Sequence, residues 1–363
     1  MPRPALYAAI TSHGFGHATR TAAVLAEVQR QCPDVLLVLT TSAPRWLLEA
    51  YLPGHFILRP RDFEPGVVQA DSLTMDQPAT LEKLKAFQAR QQSFIAAEVD
   101  FIQRNRIQLL LMDMPPSAVA IAQAAGVPSW AVSNFGWDFV YQEWGGEFAE
   151  IANSIRETYQ HCDRLFRLPF HEPMSVFPVI EDIGLTGGWP RHSAEEVRLR
   201  FRLPEDRPIA LLTFGGLGLG EIPYQNVLRH PDWFFVTFDR RCPTDLPNLM
   251  QIQDRTTRPV DVMPLCSRVI SKPGYGTLSE ACRVGVPVTC LERQGFAEAK
   301  VLLEGLQDYS EHQIIPPEEF YQGNWDFLYQ KPLAPRSSEP ITKNGNETLA
   351  AAIVAYLTNL TNQ

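Results

Sequence analysis

The sequence shows no basic excess. Its 363 residues carry 32 Lys and Arg against 41 Asp and Glu, for a formal net charge of −9. No long basic run interrupts this balance, so the electrostatic footprint of a nucleic-acid binder is missing. No apolar stretch reaches the length a membrane-crossing helix needs, and the opening Met1–Thr11 lacks the layout of a secretory signal. The six cysteines (Cys32, Cys162, Cys242, Cys266, Cys282 and Cys290) are scattered, with no Cys-x-x-Cys pair. That argues against a disulfide framework and for free thiols in a reducing compartment. The expected location is the cytosol, with contact at a membrane surface left open. No glycine run ends in Gly-Lys-Ser/Thr, so a Walker A loop is absent, and no Asp-x-Asp metal motif occurs.

What is present is an ordinary globular mixture, 45% hydrophobic and 20% charged, long enough for two domains. Short apolar runs alternate with longer helical stretches. Strands are predicted at Ala5–Thr11, Val35–Thr41, Phe56–Pro60, Gln108–Asp113 and Trp130–Asn134, with helices such as Ala18–Gln31 and Ser117–Ala125 between them. The pattern then restarts with strands at Pro208–Phe214, Phe234–Phe238, Met250–Ile252, Val269–Lys272 and Val286–Leu291, the last two separated by a helix Thr277–Val284. Such alternation predicts two α/β units, each a parallel sheet covered on both faces. They join around Thr186–Arg202, where Gly187-Gly188-Trp189-Pro190 reads as the start of a linker. Gln330–Asn344 reads as loop, after which Asn346 is expected to cap a helix Glu347–Leu360 whose Leu349, Ile353, Val354 and Leu357 share one face. The expected domains are residues 1–186 and 187–344, with the helix of 345–363 returning to the first.

Two strand-to-helix turns carry the chemistry. The first strand runs into Thr11-Ser12-His13-Gly14-Phe15-Gly16-His17-Ala18-Thr19-Arg20. A glycine turn there brings backbone N–H groups to the carboxyl edge of the sheet, where open α/β sheets bind ligands. A dinucleotide fingerprint fails on two counts: the third glycine is missing, and the second strand ends Leu39-Thr40-Thr41-Ser42 with no acid for a ribose. The loop instead holds His13 and His17, either able to take a proton near neutral pH or simply to brace the turn. In the second unit, Ser271-Lys272-Pro273-Gly274-Tyr275-Gly276-Thr277-Leu278-Ser279-Glu280-Ala281 follows a strand and opens a helix. Gly274 and Gly276 allow close approach, Thr277 is expected to cap, and the free amides suit a diphosphate. Glu280 is placed to accept from ribose hydroxyls, or only to favour the helix start. A third loop, Phe214-Gly215-Gly216-Leu217-Gly218-Leu219-Gly220, should add amides at the same edge.

Together these segments resemble the GT-B glycosyltransferases. Gly16-His17 is similar to the glycine–histidine loop of the plant small-molecule glucosyltransferases and of the peptidoglycan N-acetylglucosaminyl transferase, and the 271–281 segment is similar to their donor-diphosphate site. A closer resemblance is to the glycosyltransferase-like N-terminal region of plant L-arabinokinases. It rests on His13–Arg20, Ser133-Asn134-Phe135-Gly136-Trp137-Asp138-Phe139-Val140-Tyr141, His161-Cys162 with Arg167-Leu168-Pro169, and Gly274-Tyr275-Gly276-Thr277. It spans most of the chain to about residue 310 and does not bring the kinase half's phosphate loop, so kinase activity is not carried over.

The resemblance implies two Rossmann-like domains facing across a cleft, the C-terminal helix docking back, and a nucleotide-diphosphate sugar as donor substrate, with no separate cofactor and no metal. It makes His17 the general base and Asp113, ending its strand, the acid that orients it. Inversion requires an acceptor hydroxyl that loses its proton as it attacks, and a leaving diphosphate steadied by amides. Gly215, Gly216, Lys272, Gly274, Tyr275, Gly276, Thr277 and Glu280 then serve the donor's diphosphate and ribose. Lys272-Pro273 departs from the family pattern, and Arg293-Gln294-Gly295-Phe296-Ala297-Glu298 stands where an acid–glutamine pair often grips donor sugar hydroxyls. Arg293, Phe296 and Glu298 are therefore the sugar-side candidates. Gly14, Phe15, Gly16, Phe135, Trp137 and Asp138 are the acceptor-side candidates, the acceptor being a small molecule, glycan or lipid. Two other readings stay open: a non-catalytic nucleotide-sugar binder and a sugar-nucleotide epimerase.

Overall fold

A computed structural model describes residues 3–70, 73–216 and 218–361. Met1, Pro2, Asp71 and Ser72 of the expected first domain, Leu217 of the third glycine loop, and Asn362 and Gln363 of the expected 345–363 segment lie outside the described residues. The chain packs as two units. The first comprises Met1–Val68, Met75–Gly187 and Thr342–Gln363; the second comprises Gln69–Thr74 and Gly188–Ile341.

The first unit holds seven strands: β1 (Ala5–Ile10), β2 (Leu36–Thr40), β3 (Ile57–Arg59), β4 (Leu109–Asp113), β5 (Ser129–Ser133), β6 (Arg164–Arg167) and β7 (Ile180–Asp182). All pair in parallel, in the order β3-β2-β1-β4-β5-β6-β7. The second holds β8 (Ile209–Thr213), β9 (Phe234–Thr237), β10 (Leu249–Gln251), β11 (Arg268–Ser271), β12 (Val288–Leu291) and β13 (His312–Ile315), again parallel, in the order β10-β9-β8-β11-β12-β13. Both are doubly wound sheets. Central strands such as Leu109–Asp113 and Ile209–Thr213 are buried along their whole length. Helices cover both faces of such a sheet, so its strands read as continuous apolar runs rather than alternating ones.

In each unit the strand order reverses once. Because βαβ crossovers are right-handed, the helices either side of that reversal fall on opposite faces and leave a crevice at the strands' carboxyl ends. In the first unit the reversal lies between β1 and β4, with Ile10 paired to Asp113. In the second it lies between β8 and β11, with Thr213 paired to Ser271. The glycine turns occupy these two places.

The helix Gly345–Thr361 packs against the helix Gly16–Gln31. Asn346 is not its cap, contrary to expectation. It lies inside the helix, where its side chain accepts from the Gly187 N–H at 3.1 Å and donates to the Gly187 carbonyl at 2.8 Å. Residue 345 has to be glycine, because a Cβ there would stand 2.0 Å from the Gly184 carbonyl oxygen. Among the described residues no helix is long and apolar enough to cross a membrane.

Candidate functional site

The turn after β1 feeds the helix Gly16–Gln31, which places His17 and Arg20 three residues apart on one helical face. Both point at Asp113, the last residue of β4. His17 Nδ1 lies 2.7 Å from Asp113 Oδ1. Arg20 straddles the same carboxylate, Nη2 to Oδ1 at 2.6 Å and Nε to Oδ2 at 2.7 Å. Thr21 donates to Oδ2 at 2.8 Å. Arg20 extends further, donating to Asn134 Oδ1 at 2.8 Å and Ser133 Oγ at 3.0 Å at the end of β5. Asp113 is wholly buried, while His17 is 7% exposed and Arg20 2%.

Burial pushes the Asp113 carboxyl up, but Arg20, and after it His17, outweigh that and hold it well below the usual carboxylate range. The acid is therefore ionised and can only accept hydrogen bonds. That decides the tautomer of His17. A bare Nδ1 at 2.7 Å from a carboxylate oxygen would set lone pair against lone pair, so Nδ1 carries the proton and donates to Asp113. The 3.0 Å approach of Arg20 Nη2 to the same nitrogen is then a contact, not a hydrogen bond. Nε2 is left as the basic nitrogen.

His13 is placed differently. Its ring stands edge-on to Trp137 at 5.2 Å, and its Nδ1 accepts from the Val67 N–H at 3.4 Å. Gly66, at φ +58°, makes room for it; a Cβ there would come within 3.1 Å of the His13 Cβ. His13 braces the loop and is not joined to Asp113 by a hydrogen bond. Gly14, at φ +72°, makes the turn that a side chain would strain.

The expected acceptor-side residues lie deep. Phe135 and Trp137 are fully buried, and Asp138 is 5% exposed with its Oδ2 on Arg156 at 3.2 Å. Phe135 packs edge-on against both His17 (5.7 Å) and Trp137 (5.4 Å), and Trp137 stacks on Tyr141 (5.7 Å). These rings pack beneath the histidines. The half-buried aromatics at this edge are Phe15 and Trp46, in edge contact at 5.9 Å. Trp46 went unremarked in the sequence, although it follows β2 at the same carboxyl edge. Glu64 was also missed. Buried beside the end of β1, it accepts a hydrogen bond from Thr11. Burial pushes its carboxyl up to about 8, Thr11 opposing and the charges of Asp62 and Asp113 adding.

In the second unit, Gly215 follows β8 at φ +77°. The turn after β11 places Lys272, Pro273 and Gly274 ahead of the helix Tyr275–Val284. Gly274, not Thr277, is the N-cap, and no side-chain hydrogen bond caps the helix. Tyr275 and Gly276 are buried in the first turn and Thr277 is half-buried. Glu280 is turned inward. Its Oε1 accepts from the Gly188 N–H at 2.8 Å and it is 4% exposed, which ties the helix to the segment entering this unit. Arg293 lies 4.1 Å over the ring of Phe296, which is 2% exposed and packs beneath the cation. Glu298 is the first residue of the helix Glu298–Tyr309 and is buried. Gly216 is exposed beside Gly215. Among the described residues no group of three or more His, Cys, Asp or Glu side chains is placed to hold a metal ion.

No protein-family model matches the chain. L-arabinokinase of Arabidopsis thaliana is 29% identical over 348 residues, a span covering 94% of this chain and 33% of that protein. The chain thus spans about a third of the length of this curated relative. Among solved structures, the glycotransferase of kitacinnamycin superposes with a TM-score of 0.59 at 15% identity, over 99% of this chain and 94% of that one. UGT89C1 of Arabidopsis thaliana, solved with UDP, gives 0.59 at 12% over 96% and 99%, and the same protein has been solved with quercetin. A Listeria monocytogenes protein assigned as a UDP-N-acetylglucosamine 2-epimerase gives 0.58 at 12% over 98% and 97%. At such identities the likeness is one of fold: two Rossmann-like units of the GT-B glycosyltransferase type.

Proposed function

We propose that the chain is an inverting glycosyltransferase that moves a sugar from a nucleotide-diphosphate donor to a hydroxyl acceptor, with His17 as general base and no metal ion in the chemistry. The observation that carries this reading is the 2.7 Å contact of His17 Nδ1 with the ionised Asp113 at the strand reversal of the first sheet. It leaves Nε2 basic and the ring fixed, as deprotonation of an attacking hydroxyl requires. The uncapped helix start at Tyr275, with Gly215 and Lys272 beside it, is suited to a departing diphosphate. UDP bound to a solved neighbour of the same fold supports a uridine donor.

A panel of UDP-sugars, with free UDP and sugar followed by mass spectrometry, tests the reading. Wild-type protein should release UDP slowly by donor hydrolysis and faster with a matched hydroxyl acceptor. His17→Ala should lose the transfer, on the order of the 10²–10⁴-fold attributed to general-base catalysis, while UDP affinity stays within a few fold. Transfer at the wild-type rate in His17→Ala would remove the base from the mechanism. Interconversion of the donor sugar with its UDP retained would identify an epimerase instead.

One observation favours a second reading, a nucleotide-sugar binder without transferase activity. Arg20 engages both oxygens of Asp113. An acid already neutralised in this way does less to steady the imidazolium that forms as His17 takes a proton. Tight UDP binding with no turnover of any donor would support it.

A further inference from the structure

The reversal point of the second sheet carries a cation for which the glycosyltransferase resemblance has no counterpart. Lys272 follows β11 directly, and its side chain lies between the two glycine turns. A Cβ built on Gly274 would stand 3.5 Å from the ammonium nitrogen, and one built on Gly215 would stand 3.6 Å from the adjoining Cε. The side chain is half-buried, and among the described residues no hydrogen bond or ion pair holds the ammonium. Among the described residues the charged and titratable groups facing it are few. Arg293, from the segment after β12, is of like charge; Glu298 opposes it from the helix Glu298–Tyr309; the Cys290 thiol on β12 is neutral, pushed up by burial. The glycine turn after β8 and the first turn of the helix Tyr275–Val284 contribute no charged group.

We infer that the second unit takes up a proton at Lys272 when it binds a nucleoside diphosphate, which ties diphosphate affinity to pH. This inference rests on the reading of that turn as the diphosphate site. The physical reason is an ammonium removed from water, set beside a like charge and lacking a partner. Such a group sheds its proton easily until an anion arrives. Burial first and Arg293 second push Lys272 down to about 7, with Glu298 weighing the other way. A diphosphate held by the neighbouring amides supplies the missing counter-charge and restores the proton. The sign follows: the protonated form binds, so affinity is greatest below pH 7 and declines above it. The decline approaches tenfold per pH unit while uptake is complete.

Isothermal titration of the full chain with UDP at pH 8, where the terminal phosphate is already ionised, tests this. Run in two non-phosphate buffers of different ionisation enthalpy, the wild-type protein should show a buffer-dependent heat equal to uptake of about 0.9 proton per UDP. Lys272→Arg, whose charge is permanent, should bind UDP with uptake near zero and an affinity nearly level from pH 7 to 9. Lys272→Met should bind more weakly, again without uptake. Wild-type binding with no proton uptake, or the same uptake in Lys272→Arg as in wild type, overturns the assignment to Lys272 and leaves the diphosphate site standing. Failure of the wild-type protein to bind UDP at any pH between about 6 and 9 overturns the diphosphate reading itself.

Discussion

Replacing Arg20 by Met should cost the first unit a large part of its stability. Arg20 is 2% exposed and donates to both oxygens of a wholly buried Asp113, at 2.6 and 2.7 Å, and to Asn134 and Ser133 at 2.8 and 3.0 Å. Methionine matches much of its length but supplies no donor. Asp113 would keep Thr21 and His17 alone, with its main counter-charge gone. Removing one partner of a buried pair costs about 3–5 kcal/mol, because the surviving charge stays desolvated. For a unit of this size that corresponds to a fall in Tm of roughly 6–20 °C. Hydrogen exchange of the amides in the helix Gly16–Gln31 reports the loss for this unit separately from the second. Arg20→Lys should lie between, since a lysine returns the charge without the two-pronged geometry. A loss below about 1 kcal/mol in Arg20→Met would refute the view that this cation holds the cluster together.

Glu64 makes stability depend on pH. Its folded carboxyl is raised from 4.5 to about 8, so the fold favours the protonated form. Its contribution is complete below pH 4.5 and is lost as pH rises through 8, by roughly 1.4 kcal/mol per unit and about 4–5 kcal/mol in all. Glu64→Gln, compared with wild type by urea denaturation at pH 5 and pH 8.5, should be relatively more stable at the higher pH; parallel curves would show that the carboxyl is ionised in the fold. Glu280→Ala should lower the second unit's stability by about 1–3 kcal/mol by leaving the Gly188 N–H without its acceptor. Undiminished stability together with weakened UDP binding would return Glu280 to the ligand.

The two-sheet architecture was legible because central parallel strands are buried on both faces and announce themselves as apolar runs bounded by turns. Each predicted strand reappears within a residue or two of its expected limits. The strands that escaped are less apolar. Arg164–Arg167 and Ile180–Asp182 are short and carry charges at the sheet's border, and His312–Ile315 includes Gln313, an acceptor for the buried Arg268. Side-chain direction was the weaker part of the reading. An aromatic after a strand can face the ligand edge or the floor beneath it, and Phe135, Trp137 and Phe296 took the floor.

By itself the sequence determined where the two glycine turns fall, since a turn's chemistry is local: glycine permits the left-handed backbone at Gly14 and Gly215, and a strand before plus a helix after fixes the edge. It also brought His17 and Asp113 forward as a pair through resemblance. Only the tertiary structure decided that the pair is a cluster with Arg20 at its centre, that His13 braces the loop, that Glu280 faces Gly188, and that Lys272 lies between Gly215 and Gly274. Those outcomes depend on strand order. The β1–β4 and β8–β11 neighbours bring together residues about 60 to 100 positions apart, a distance at which local sequence carries no information about contact.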